Sequence, residues 1–172
     1  MADPSGIPAA VLIPIFTRSG EDHILFTKRT ETVDAHKGQI SFPGGRQEPG
    51  EDLLHTALRE AHEEIGLDPN VVEVLGELDQ EMTFVTNFVI SPFVGHIPYP
   101  YSFVINRQEV QLLIEVPVLA LLDRKNYREE IETAGDKRYR AYYFHYQNEV
   151  IWGATARILK RFFDTVCAAG RM

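Results

Sequence analysis

Three acids crowd the run LREAHEEIG: Glu60, Glu63 and Glu64. At about 100° per helical residue, Glu63 lies roughly 60° to one side of Glu60 and Glu64 roughly 40° to the other. All three leave such a helix from one sector, away from the apolar stripe of Leu54, Leu58, Ala61 and Ile65. Each like-charged pair at this spacing costs about 0.2–0.5 kcal/mol on an exposed helix. Arg59 can pair with Glu63, four residues on, but one cation does not offset three anions. A hard divalent cation does: Mg²⁺ prefers oxygen ligands and is commonly shared between one or two carboxylates and substrate phosphates. The competing reading is a solvated acidic face with Arg59 as a surface partner.

The acids need a helix to carry them, and the period over Asp52 to Ile65 predicts one, with Leu53 and Ala57 widening its stripe. Gly66 stands where a left-handed cap is required and Pro69 follows. Ahead of the helix, Pro43-Gly44-Gly45 closes a short strand over Gln39 to Phe42. Branched, apolar runs predict strands over Val11 to Thr17 and His23 to Thr27, joined by a turn at Ser19-Gly20-Glu21-Asp22. Further strands are expected over Val71 to Leu78, Thr83 to Ile97 and Arg140 to Tyr146, and a short helix from Val118 to Asp123. A second long helix is expected over Gly153 to Ala168, where Ala154, Ile158, Phe162 and Val166 share a face. Two helices far apart among many strands pack most simply on opposite sides of a mixed β-sheet, an α/β/α sandwich. The expected organisation is a tail over residues 1–9 and a single domain over 10–168.

Composition narrows the functions. With 172 residues, 44% of them hydrophobic, the chain can bury a core without staples. A net charge of -8 argues against a nucleic-acid partner. It admits a small polyanionic substrate if metal and a few local cations reverse the potential at the site. No apolar run approaches the roughly 20 residues of a membrane span, so no membrane association is expected. The single cysteine, Cys167, reads as a small core residue at the end of the second helix rather than a nucleophile, and suits a reducing compartment. Cytoplasmic localisation is the expectation.

Gly45, Glu51, Arg59-Glu60, Ala61, Glu63-Glu64, Gly66 and Leu67 form an ordered series. It resembles the box of the Nudix hydrolase family, G-x5-E-x7-R-E-U-x-E-E-x-G-U, with every fixed identity present and Ala61 a small residue at the first U position. The resemblance implies the Nudix fold and metal-dependent hydrolysis of a nucleoside diphosphate linked to another group, with Mg²⁺ or Mn²⁺. It casts Glu60, Glu63 and Glu64 as metal ligands and catalytic acids, joined by the carbonyl of Gly45. Glu64 is favoured over Glu60 as the base that takes the proton of water. Gly44, Glu51, Arg59 and Gly66 take structural roles.

Upstream, Leu25-Phe26-Thr27-Lys28-Arg29, Gly38 and Phe42-Pro43-Gly44-Gly45 resemble the pattern of coenzyme A pyrophosphatases, L-L-T-x-R-[SA]-x3-R-x3-G-x3-F-P-G-G. Downstream, Asn106, Glu109-Val110, Val116-Pro117 and Leu121 resemble that group's N-x-x-E-V…V-P-L-x-x-L segment, and Trp152-Gly153 the opening of its last helix. Asp34 departs from the pattern by placing an anion where it has Arg. Arg29, His36, Lys37 and Arg46 are the expected substrate-binding cations. Lys28 and Arg29 should point to opposite strand faces, and Arg29 is preferred because a guanidinium binds phosphate with two parallel bonds. His55 and His62 read as surface helix residues. Glu81 and Glu109 are candidates for an acid outside the box, Glu109 the stronger.

The substrate implied is a small-molecule diphosphate, coenzyme A or an acyl derivative first. ADP-ribose, nucleoside-diphosphate sugars or dinucleotides form the alternative, and a non-catalytic nucleotide-sensing module a third. The aromatic runs YPYSF and AYYFHY are open to three roles: core packing, a substrate pocket or a homodimer interface.

Overall fold

The computed structural model describes residues 5–31 and 38–170. Strands β1 (Ile7–Arg18) and β2 (Glu21–Arg29) form an antiparallel hairpin. Its turn is Ser19-Gly20, both with positive φ (53° and 81°), the backbone twist that suits a two-residue hairpin. Short strands β3 (Ile40–Ser41) and β4 (Gly44–Arg46) precede helix α1 (Leu53–Ile65). Then come β5 (Glu73–Glu77), β6 (Glu81–Met82), β7 (Phe88–His96), β8 (Val110–Pro117), helix α2 (Val118–Leu122), β9 (Tyr127–Ala134), β10 (Lys137–Tyr146), β11 (Glu149–Ile151) and helix α3 (Gly153–Ala168).

The large sheet runs β3-β2-β1-β7-β5, with β4 also on β1, β6 on β7 and β8 on β2. Only the β1–β7 pairing is parallel among its described pairs, so the sheet is mixed as expected. A separate antiparallel sheet, β11-β10-β9, stands beside it.

Strand alternation assigns the helices to their sides. The even positions of β1, Ala10, Leu12 and Phe16, pack with Ala57, Ala61 and Ile65 of α1. Its odd positions, Val11, Ile13 and Ile15, pack with Ile158, Leu159, Phe162 and Phe163 of α3. One sheet thus separates two cores, giving the α/β/α arrangement. Burying a large aliphatic or aromatic side chain contributes about 1.5–3 kcal/mol, so each helix is fixed mainly by its stripe.

The boundaries differ from expectation where pairing overrides local signal. β1 begins at Ile7 rather than Val11, because Ile7 pairs with Phe88 across the parallel ladder and its N–H reaches Asn87 O at 2.8 Å. Residues 7–9 therefore belong to the sheet and not to a tail. The expected strand over Thr83 to Ile97 is shortened to β7, because Thr83 caps a turn through its bonds to Thr86 and Phe88 before β7 begins. β8 and β9 were not expected. Among the described residues no helix is long and apolar enough to cross a membrane.

Candidate active site

Helix α1 starts at Asp52, whose side chain accepts the His55 N–H at 2.8 Å, and ends at Gly66, left-handed at φ 68°. The Gly66 carbonyl accepts the Tyr101 hydroxyl, which also receives the Asp68 N–H at 2.9 Å. Tyr101 of YPYSF is therefore structural, and Tyr99 of the same run stacks on Phe16.

Glu51, just ahead of the helix, gathers the Glu48 N–H, the Thr56 hydroxyl, a His55 ring nitrogen and the Arg59 guanidinium. Arg59 beside it holds the Glu51 carboxyl well below the usual carboxylate range. The same guanidinium donates to Glu60 at 2.9 Å, to Glu63 at 3.2 Å and to the Arg46 carbonyl at 3.1 Å. It thereby ties the loop after β4 to the helix, and the hydrogen bond to Glu51, helped by Glu60, raises its own pKa against the opposing effect of burial.

The three acids are not equivalent. Glu63 is 53% exposed at its side chain, Glu60 17%, and Glu64 is buried at 5% overall. Burial raises the Glu60 carboxyl against the pull of Arg59. Burial pushes Glu64 up to about 8, reinforced by the charges of Glu60 and Glu109 and opposed by Arg29 and the Gly44 N–H.

The glycines fit between these acids and β1. A Cβ on Gly45 would stand 2.5 Å from the Glu60 carboxylate, and one on Gly44 would stand 2.3 Å from the Ala10 carbonyl oxygen. Only glycine allows the strand to lie there. Hard carboxylate oxygens, mutually repelling and approached by bare backbone, suit a hard divalent cation in donor chemistry. The side chains themselves do not form a three-ligand cluster among the described residues, because Arg59 draws Glu63 and Glu60 toward itself.

Backbone bonds gather the outlying residues. Asn106 N–H donates to the Glu64 carbonyl at 2.9 Å, and its own carbonyl receives the N–H of Glu109 and Val110. Thr30 N–H donates to the Glu109 carbonyl at 3.1 Å. Arg29, Glu109 and Glu64 are thus brought together, and Glu109, though exposed, makes its charge felt at both Glu60 and Glu64. Arg29 Nε is buried with no hydrogen-bond partner. Lys28 instead pairs with Glu149 at 2.7 Å, so the two cations do diverge. Glu81 is buried and held by Arg157 and Arg161, a structural ion pair rather than an outside acid. Asp34, His36 and Lys37 lie outside the described residues.

Next to the glycines opens a chamber of about 680 Å³. Its walls are Ala9 and Val11 of β1, Gly44 to Arg46 of β4, Arg29, the turn at Thr83 to Thr86, one face of β9 and β10, and the start of α3 from Trp152. Tyr143 and Tyr139 line it, whereas Phe144 is core and Tyr142 stacks on Tyr127. The AYYFHY run thus serves both pocket and packing. Glu132, Tyr139, Phe84 and Arg157 were not foreseen as lining residues. Only the aromatic run hinted at that wall.

Comparison with known proteins gives the chain's family and fold. The NUDIX domain family matches residues 6–114. A protein of Yersinia enterocolitica described as an uncharacterized Nudix hydrolase, NudL, is 38% identical over 159 residues, covering 92% of this chain and 80% of that protein. A MutT/nudix family protein from Enterococcus faecalis superposes with a TM-score of 0.65 at 11% identity, covering 96% of this chain and 64% of the other. An Ap4A hydrolase of C. elegans in a binary complex gives 0.55 at 17% identity, covering 64% and 80%.

Proposed function

This chain belongs to the Nudix hydrolase family, and on that premise we propose that it is a divalent-metal-dependent pyrophosphohydrolase of coenzyme A or its acyl derivatives. The products are 3′,5′-ADP and (acyl-)4′-phosphopantetheine. As a Nudix hydrolase it acts on diphosphate bonds. The observation that carries the rest is the meeting of Glu60 and Glu64 with Gly44 and Gly45 at the edge of a roomy chamber.

Glu60, Glu63 and Glu64, with the Gly45 carbonyl, are the groups that would hold the cation. A divalent ion held there would supply positive charge to offset that developing on the phosphate oxygens and would acidify the attacking water. Glu64 takes the proton of that water at its carboxylate, and Glu109 is the nearby acid outside the box. Arg29 turns its unpartnered Nε to a phosphate oxygen, and Arg46 adds a second cation at the β4 wall. Arg59 stays off the substrate and keeps the glycine loop on the helix.

Coenzyme A is supported by the pattern from Leu25 to Gly45 and by a chamber large enough for an arm beyond the diphosphate. Asp34, in place of the pattern's Arg, favours the second reading: ADP-ribose, nucleoside-diphosphate sugars or dinucleotides. Mass spectrometry of products decides, using Mg²⁺ or Mn²⁺ and a panel of coenzyme A, acetyl-coenzyme A, ADP-ribose, UDP-glucose and dinucleoside polyphosphates. 3′,5′-ADP from coenzyme A supports the first reading. Cleavage confined to the others supports the second. Binding without any product under either metal leaves a sensing module and refutes both.

A further inference from the structure

The chamber wall built by β9 and β10 carries a carboxylate that hydrolysis does not use. Glu132 of β9 stands across from Tyr139 of β10 in the antiparallel register. Tyr139 donates its hydroxyl to Glu132 Oε2 at 2.9 Å, and Tyr143, four residues along the same face of β10, donates to Oε1. The two hydroxyls hold the carboxyl below its ordinary range, so it is charged at neutral pH. Phe84 packs on Tyr139 with 5.0 Å between ring centroids. Arg157 also lines the chamber, but it is paired with Glu81 and lies over Phe84 at 5.2 Å.

An ionised carboxylate offers about four acceptor positions, and the tyrosines take two. What remains repels a phosphate and invites an N–H donor. The surrounding aromatic rings favour an uncharged, partly apolar group. The cations that suit phosphate, Arg29 and Arg46, belong instead to the wall formed by the end of β2 and by β4. The chamber therefore sorts a two-part substrate by charge. Of the two halves of coenzyme A, the 3′-phosphorylated nucleotide is anionic, and the pantetheine arm is neutral with two amide N–H groups.

We infer that Glu132, set by Tyr139 and Tyr143, is a specificity-determining acceptor for the amide-bearing arm of the substrate, an inference that rests on the proposed pyrophosphohydrolase activity. The phosphorylated nucleotide then sits against Arg29 and Arg46.

Steady-state kinetics with coenzyme A and Mg²⁺, and inhibition by 3′,5′-ADP, which lacks the arm, test this. Glu132→Ala raises KM for coenzyme A about tenfold, the loss of one hydrogen bond to a charged group, with kcat within about twofold. The inhibition constant of 3′,5′-ADP stays unchanged. Tyr143→Phe keeps the carboxylate, loosens its aim and gives a smaller rise in KM, which covers the case of a poorly folded Glu132→Ala. An unchanged KM in both variants overturns the inference. So does an equal weakening of 3′,5′-ADP, which would place the nucleobase at Glu132. If the unmodified protein does not cleave coenzyme A, its proposed substrate fails and this inference with it. If it does and the variants show no arm-selective change, only the inference falls.

Discussion

Arg59 grips Glu51 through two parallel hydrogen bonds, Nε to Oε1 at 2.7 Å and Nη2 to Oε2 at 3.1 Å. Both side chains are largely buried, and the remaining reach of Arg59 touches Glu60, Glu63 and the Arg46 carbonyl. One ion pair thus fixes where the glycine loop and the acids of α1 stand relative to each other.

Glu51→Gln should destabilise the protein by about 2 kcal/mol at pH 7, since it removes the two-point charged partner of a largely buried guanidinium and leaves it the single contacts to Glu60 and Glu63. The carboxyl is depressed in the folded state, so its stabilisation is complete above the unfolded value of about 4.3 and declines as pH falls toward the folded value. Urea unfolding of both proteins between pH 7 and pH 3 should show the gap narrowing on acidification. A gap that widens in acid would contradict the sign.

Two neighbouring glycines should fail differently. Gly45→Ala places its methyl against the Glu60 carboxylate, a side-chain end that can shift, so the fold should survive while kcat falls about 100-fold. Gly44→Ala meets the Ala10 carbonyl and the Val11 Cα, which cannot shift without moving β1, so the thermal midpoint itself should drop. Circular dichroism melts beside turnover rates distinguish the two.

Adjacent cations on β2 should also separate. Arg29→Ala should raise KM about tenfold by removing a charge-assisted phosphate contact. Lys28→Ala should leave KM unchanged and cost at most about 1 kcal/mol through the lost Glu149 pair, which is partly exposed.

The sequence reveals most where local signals and tertiary needs coincide. Asp52 and Gly66 mark the ends of α1, and the stripe from Leu54 to Ile65 faces β1, because cap chemistry and helical period are local. The roles of Glu51 and Arg59 were legible only through the spacing of the box. β9 was hidden because its residues YREEIETA are mostly exposed and half of them charged, and it is a strand by virtue of pairing with β10. Glu132 was hidden with it, since nothing local says that Tyr139 and Tyr143 will face it. The separation of Lys28 from Arg29 followed from strand alternation, whereas the links through Asn106 and Thr30 that bring Glu109 beside Glu64 depend on long-range backbone bonds.

Calorimetric titration of Mg²⁺ into the native protein, with 3′,5′-ADP present, tests most directly whether the acids of α1 serve a cation. The account predicts saturable binding that is lost in Glu64→Gln while the thermal midpoint of that variant is kept. No binding in the unmodified protein, or binding undiminished by Glu64→Gln, would contradict it.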